Sequence, residues 1–403
     1  MKDTTGTSDW DMIEAQLPTN WREIADVMKV IRPQRAQLNA KVTDIRDALR
    51  LVLHHAGAGR SLRATTALAA AAGVISISWV ALHGWMKRLG PYLAALLREM
   101  LATSTFAAEK WAGFDVIAAD ATTVQNPGAK GTTARVHYAL RLADLTPRHM
   151  EVTDEHGGET ARRFSAEPGE LWLLDRGYAN PAGVAATRKR GAHVIVRYNR
   201  GTLPVYDKKG NRVDVMGLLR KTLDREQPHQ VRVIVHSGDE RIAGRLCWLR
   251  LPEDKAAEAC RRAIRDAEGT CEADSLDAAE YVVVFTTVMS ELSASQVLEL
   301  YRARWQVELD FKRSKSIQDL DRLPNFLPET IYSWICAKLL LQVIARRIAS
   351  PTVAFPPGGV RWQILPSISL SRTRRSGRGG RAVVRHGTRL GRRLQRDTSY
   401  QAT

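Results

Sequence analysis

Cysteine is scarce in this chain, with 4 in 403 residues. Cys247, Cys260, Cys271 and Cys336 form no C-x-x-C pair and no zinc-finger spacing. That excludes a disulfide scaffold and a structural zinc site, and leaves reduced thiols in a cytoplasmic protein as the expectation. Long apolar runs are missing as well. None reaches the ~18 residues that a membrane-spanning helix needs, and no secretory leader opens the chain, so neither membrane insertion nor export is expected. Acidic residues are outnumbered: 43 Asp and Glu stand against 60 Lys and Arg, a formal net charge of +17. A chain this basic is expected to meet a polyanion, most simply nucleic acid.

Lysine is absent from one stretch. From 351 onward there are eleven Arg, no Lys and a single acid, Asp397. Gly, Ser and Arg dominate after 369, a composition that cannot bury enough apolar surface to offset the entropy of ordering. Residues 350–403 are therefore expected to form a disordered basic tail.

The rest is globular, with 44% hydrophobic residues. Residues 1–108 carry helical spacing of Ile, Val, Met and Leu punctuated by Pro18 and Pro33, and predict an all-helical N-terminal domain. Within it, 61–89 reads as an alanine-rich helix, a break at Gly73 and a second helix from Ser76 or Ser78. Either a helix-turn-helix-like pair or a plain bundle fits. Trp79, Trp85 and His83 are expected to pack rather than to read bases.

From 109 the pattern changes to strands. FDVIAAD is a short apolar run expected to stop at Asp120, and LWLLDRGY delivers a second one that ends at Asp175. Runs at 135–145, 149–157 and AHVIVRYN add strands, and 181–190 adds a helix. This succession suits an α/β fold, with 109–200 and 280–349 forming one core. Between them, 201–279 reads as strands, a helix and a loop over 269–275, a β-rich insertion. Acids at the ends of central strands collect where sites in α/β folds form, although either one alone is also an ordinary turn residue.

Residues 293–315, SASQVLELYRARWQVELDFKRSK, read as one helix capped by Ser293 or Ser295. At ~100° per residue, Tyr301, Arg304, Glu308 and Lys315 fall within an arc of roughly 60°. Apolar walls at Leu298, Trp305 and Leu309 and at Leu300, Val307 and Phe311 flank that arc. The solvated face is expected at Glu299, Arg302, Gln306, Asp310 and Arg313. An i,i+4 ion pair of Arg304 with Glu308 is the plain reading. A carboxylate between apolar walls with three phosphate-competent donors is the sharper one.

The spacing Tyr-x2-Arg-x3-Glu-x6-Lys, with Asp120 and the Asp175-Arg176-Gly177-Tyr178 motif before it, resembles DDE transposases of the insertion-sequence-4 family. The resemblance implies a ribonuclease-H-like catalytic core. Asp120, Asp175 and Glu308 would be the catalytic triad and ligands of two Mg²⁺ or Mn²⁺ ions. Tyr301, Arg304, Lys315 and Arg176 would hold DNA phosphates. The implied partners are double-stranded DNA, both terminal inverted repeats and target, and a second copy of the chain in the DNA complex. The implied activity is metal-dependent strand cleavage and strand transfer. A nuclease without strand transfer and an inactive DNA-binding repressor are the alternatives.

Overall fold

In the computed structural model, the described residues are 9–31, 42–102, 111, 113–126, 131–222, 226–267, 272–323 and 327–349. The stretch 350–403, expected to be a disordered tail, lies outside them. The chain opens with five helices: α1 (Asp9–Glu14), α2 (Trp21–Val27), α3 (Ile45–Ala58), α4 (Leu62–Ala71) and α5 (Trp79–Ala102). Their starts follow local capping. Asp44 accepts the Arg46 N–H ahead of α3, and Ser61 accepts the Ala64 N–H ahead of α4. Gly59 ends α3 in the left-handed conformation, φ 60°.

The α4–α5 pair belongs to a bundle. The two are separated by 72–78, longer than a helix-turn-helix turn, and the 24-residue α5 buries eleven residues. Trp85 packs as expected, at 7% exposure. Trp79 does not. It is 42% exposed and lies beneath the Arg63 guanidinium, 5.3 Å from its ring centre.

Eight strands follow, interleaved with helices: β1 (Asp115–Val124), β2 (Ala134–Arg141), β3 (Pro147–Asp154), β4 (Glu170–Leu174), α6 (Pro181–Lys189), β5 (His193–Arg197), α7 (Val215–Arg220), β6 (His229–Ser237), β7 (Glu240–Arg250), α8 (Glu253–Asp266), α9 (Ala273–Ala279) and β8 (Tyr281–Thr286). The chain then runs through α10 (Ala294–Arg302), α11 (Trp305–Gln318) and α12 (Pro328–Ala349). All eight strands form one sheet in the order β3-β2-β1-β4-β5-β8-β7-β6. The first five carry the ribonuclease-H-like core: β1, β4 and β5 are parallel, and β2 and β3 are antiparallel.

Three expectations change here. β1 does not stop at Asp120. It continues to Val124 because Thr122 and Thr123 pair with Val136 and Arg135 of β2, and β-branched residues suit a strand. Among the described residues the 201–279 stretch supplies two strands, but three helices where one was expected, and β6 and β7 extend the central sheet through β8. A helix, α9, takes the last three residues of the stretch expected as the 269–275 loop and runs beyond it, while 269–271 lie outside the described residues.

Each sheet face has its own core. One buries Ile117, Ala119, Trp172, Leu174 and Val194 with α6 and α7. The other buries Val116, Ala118, Leu171 and Leu173 together with α3, α5, α10, α11 and α12. The N-terminal helices thus share an apolar core with the sheet. α12 is the link: Arg347 donates to the carbonyl of Gln16 at 2.9 Å and to that of Met100 at 2.5 Å.

α5 meets α12 closely at Gly90, where a Cβ would lie 2.6 Å from Tyr332 Cδ1 and 2.8 Å from Ser333 Oγ. Gly90→Ala is expected to destabilise the protein by about 1–3 kcal/mol through overpacking. Thermal unfolding checks this. An unchanged melting temperature would show that the two helices can part without cost.

Candidate active site

The site begins with a strand register. β1 and β4 run parallel with Cα partners from Asp115↔Glu170 to Ala119↔Leu174. Asp120 and Asp175 are the next residue on each strand, side by side where the parallel pairing ends. Side chains alternate along a strand, so both acids share the face of Val116, Ala118, Leu171 and Leu173. That is the face covered by α10 and α11. The chain turns sharply after Asp175, through a single 3-10 turn at Arg176–Tyr178.

The third segment is not one helix. Ser293 does cap α10, in a capping box with Gln296, but helix geometry is interrupted at Ala303 and Arg304. The N–H groups of 303, 304, 306 and 307 donate three residues back, to Leu300, Tyr301, Ala303 and Arg304. No Gly or Pro marks this tightened turn, so the sequence pattern could not show it. It resets the phase between Tyr301 and Glu308, and it leaves Trp305 47% exposed, contrary to its expected place in an apolar wall.

Tyr301, Arg304 and Glu308 nevertheless come together with the two strand acids. The Arg304 guanidinium pairs with Asp120 Oδ2 at 3.5 Å and closely with Glu308 Oε1. The Tyr301 hydroxyl donates to Asp175 Oδ1 at 3.3 Å. The enclosed carboxylate is Asp120, with a side chain 19% exposed, whereas the Glu308 side chain is 46% exposed. Burial pushes Asp120 up to about 6, opposed by Arg304 and by the Ala121 N–H, and reinforced by Asp175 and Glu308. Burial also works against the Arg304 charge. Tyr301, Asp175, Asp120 and Glu308 more than offset this and hold the guanidinium above its ordinary range.

Lys315 is half-buried on α11, about two turns beyond Glu308, and Arg176 is exposed beside Asp175. Sequence reasoning missed a fourth carboxylate. Glu159 is half-buried, raised by burial and by the neighbouring Asp175, with Arg135 acting the other way. A Cβ on Gly177 would lie 1.8 Å from Glu159 Oε2, so glycine in the Asp-Arg-Gly-Tyr motif makes room for that carboxylate. Glu159 sits in a turn-like Gly/Glu/Thr stretch with no periodicity, and no local signal distinguishes it.

Among the described residues, no three His, Cys, Asp or Glu side chains stand close enough as they are to hold one metal ion. The donor chemistry still fits a hard cation. All candidates are carboxylates, one of them enclosed and calling for a positive partner. A single guanidinium already bridges Asp120 to Glu308.

The family model described as the Transposase DDE domain matches residues 111–341. The chain is 32% identical over 327 residues to the InsL proteins of the insertion sequence elements IS186A and IS186B of Escherichia coli (strain K12), covering 78% of this chain and 88% of theirs. It is also 32% identical over 328 residues to the "Transposase for insertion sequence element IS421" of Escherichia coli, with the same shares.

The Asp120 shift has a consequence for stability. A carboxyl raised to about 6 in the fold and near 3.8 when exposed favours folding below the lower value, and that contribution disappears as pH rises through about 6. Asp120→Asn retains an acceptor for the Ala121 N–H and removes the charge. At pH 8 it is expected to be more stable than the parent by about 2 kcal/mol, at ~1.4 kcal/mol per pKa unit. The advantage should shrink as pH falls toward 4. Melting temperatures across that range check the sign, and an Asn variant that is less stable at pH 8 would contradict it.

Proposed function

Because the chain belongs to the DDE transposases of the insertion-sequence-4 family, we propose that it binds the terminal inverted repeats of an insertion sequence and catalyses DNA strand cleavage and strand transfer. The observation that carries this is the convergence of Asp120, Asp175 and Glu308. Two are aligned by the β1–β4 register, and the third is joined to Asp120 through Arg304.

In this reading the three carboxylates hold divalent cations, two Mg²⁺ or Mn²⁺. When bound, these ions activate a water or hydroxyl nucleophile and stabilise the leaving 3′ oxygen. Asp120 and Asp175 supply a fixed edge, because one lies on β1 and the other directly follows β4. Glu308 supplies the adjustable ligand, because its side chain is half exposed. Arg304 offers a planar fork that fits a phosphate as well as a carboxylate, so the same group can neutralise the acids or grip the DNA backbone. Lys315 and Arg176 add point charge and fork on either side, and the Tyr301 hydroxyl orients Asp175 and can donate to a phosphate oxygen. The net charge of +17 supplies sequence-independent attraction to DNA. Residues 1–108 form the DNA-binding part, and a second copy of the chain joins in the complex with paired ends.

Asp120→Ala, Asp175→Ala and Glu308→Ala are each expected to abolish cleavage of an inverted-repeat duplex in Mn²⁺ while leaving its Kd nearly unchanged, because binding rests mostly on cations. Gel analysis of nicked, hairpin and joined products checks this. Near-native cleavage by any one variant would break the triad. Cleavage by the parent with no joining of pre-cut ends would make the protein a nuclease only.

A further inference from the structure

The face of α11 turned away from Glu308 was expected to be solvated, yet Asp310 on that face is 3% exposed. Its carboxylate is surrounded by donors. The Tyr138 hydroxyl donates to Oδ2 at 2.5 Å, the Gln342 amide reaches the same oxygen at 3.4 Å, and the Arg346 guanidinium pairs with Oδ1. Arg346 also donates to the Leu145 carbonyl at 2.5 Å, and the Tyr138 and Phe311 rings lie 5.3 Å apart.

Two positions make this cluster more than packing. Tyr138 is the direct cross-strand partner of Asp120 in the β1–β2 ladder, so their side chains share a face. Asp310 lies two residues beyond Glu308. One buried hydrogen bond therefore ties β2, the neighbour of the first acid's strand, to the helix of the third. The tightened turn at Ala303 and Arg304 separates α10 from α11, and α11 has its own ties to the sheet and to α12. At the far end of α11, Lys338 donates to the Gln318 carbonyl and fixes that terminus to α12. A buried ion pair is a poor source of net stability, and its best-attested use is to specify register.

We propose that Tyr138, Asp310 and Arg346 act together as positioning residues that set the rotation and axial register of α11 on β1, and thereby the reach of Glu308 toward Asp120 and Asp175. The inference rests on reading Glu308 as the third metal-binding acid. None of the three touches the DNA or the ions. They act through α11.

The test uses the full chain with Tyr138→Phe, which removes one hydroxyl and keeps the ring, and Arg346→Lys, which keeps the charge and loses the fork. Mn²⁺ affinity is read without turnover, from the electron paramagnetic resonance signal of the free ion, and cleavage of the inverted-repeat duplex is followed against Mn²⁺ concentration. Outer partners of metal ligands affect metal affinity by about 10–100-fold, so each variant should bind Mn²⁺ at least ~10-fold more weakly. Cleavage should be lost at low Mn²⁺ and recover at high Mn²⁺, with the Kd for DNA in chelator unchanged. A merely structural role would lower the melting temperature and reduce cleavage equally at every Mn²⁺ concentration, and that result overturns the proposal. Glu308→Ala separates the two readings. If it still cleaves, the triad is wrong. If it is dead while both variants keep native Mn²⁺ affinity, only the positioning role is wrong.

Discussion

The parallel pairing of β1 with β4 stops at Ala119 and Leu174, and the candidate site depends on where it stops. One residue later on each strand, the face that buries Val116, Ala118, Leu171 and Leu173 carries a carboxylate. A slip of one residue in either strand would turn its acid to the opposite face, into the core of Trp172, Leu174 and Val194. The register is held by apolar side chains on both faces at once, so the site inherits its rigidity from the core. Asp120 is carried on β1 itself, and Asp175 is the first residue past β4, where the parallel pairing has just ended.

Against this fixed edge stands a segment assembled from two helices. The tightened turn at Ala303 and Arg304 lets Tyr301 approach Asp175 while Arg304 and Glu308 approach Asp120. A continuous helix would carry one stripe along a straight axis. The broken one directs its polar groups at two neighbouring strands. The charge balance follows the same logic. An enclosed Asp120 is held up to about 6 by burial and requires a cation, and Arg304 is the cation at hand. A guanidinium shared by two carboxylates marks where divalent ions or a phosphate would compete.

Much of this was legible in the sequence. Asp120 and Asp175 each follow an unbroken apolar run, and buried parallel strands leave just that trace. The Tyr-x2-Arg-x3-Glu-x6-Lys spacing singled out Tyr301, Arg304 and Glu308, which do come together, although across the turn between α10 and α11 and not along one helical arc. Other features left no such trace. Asp310 falls on the arc that projection assigns to solvent, and only tertiary packing of β2 and α12 encloses it. Glu159 belongs to a turn, where no periodicity operates. The extension of the central sheet by β6 and β7 depends on pairing with β8, a non-local choice that alternating hydrophobicity does not encode.

The most direct measurement is anomalous diffraction from crystals of the full chain with a pre-cleaved inverted-repeat end and Mn²⁺. The account predicts two manganese peaks about 3.5–4 Å apart. Carboxylate oxygens of Asp120, Asp175 and Glu308 should lie among their ligands, and Arg304 should have moved from between the acids to a DNA phosphate. Manganese elsewhere, or an Arg304 still bridging Asp120 and Glu308 in a complex that is competent to cleave, would contradict it.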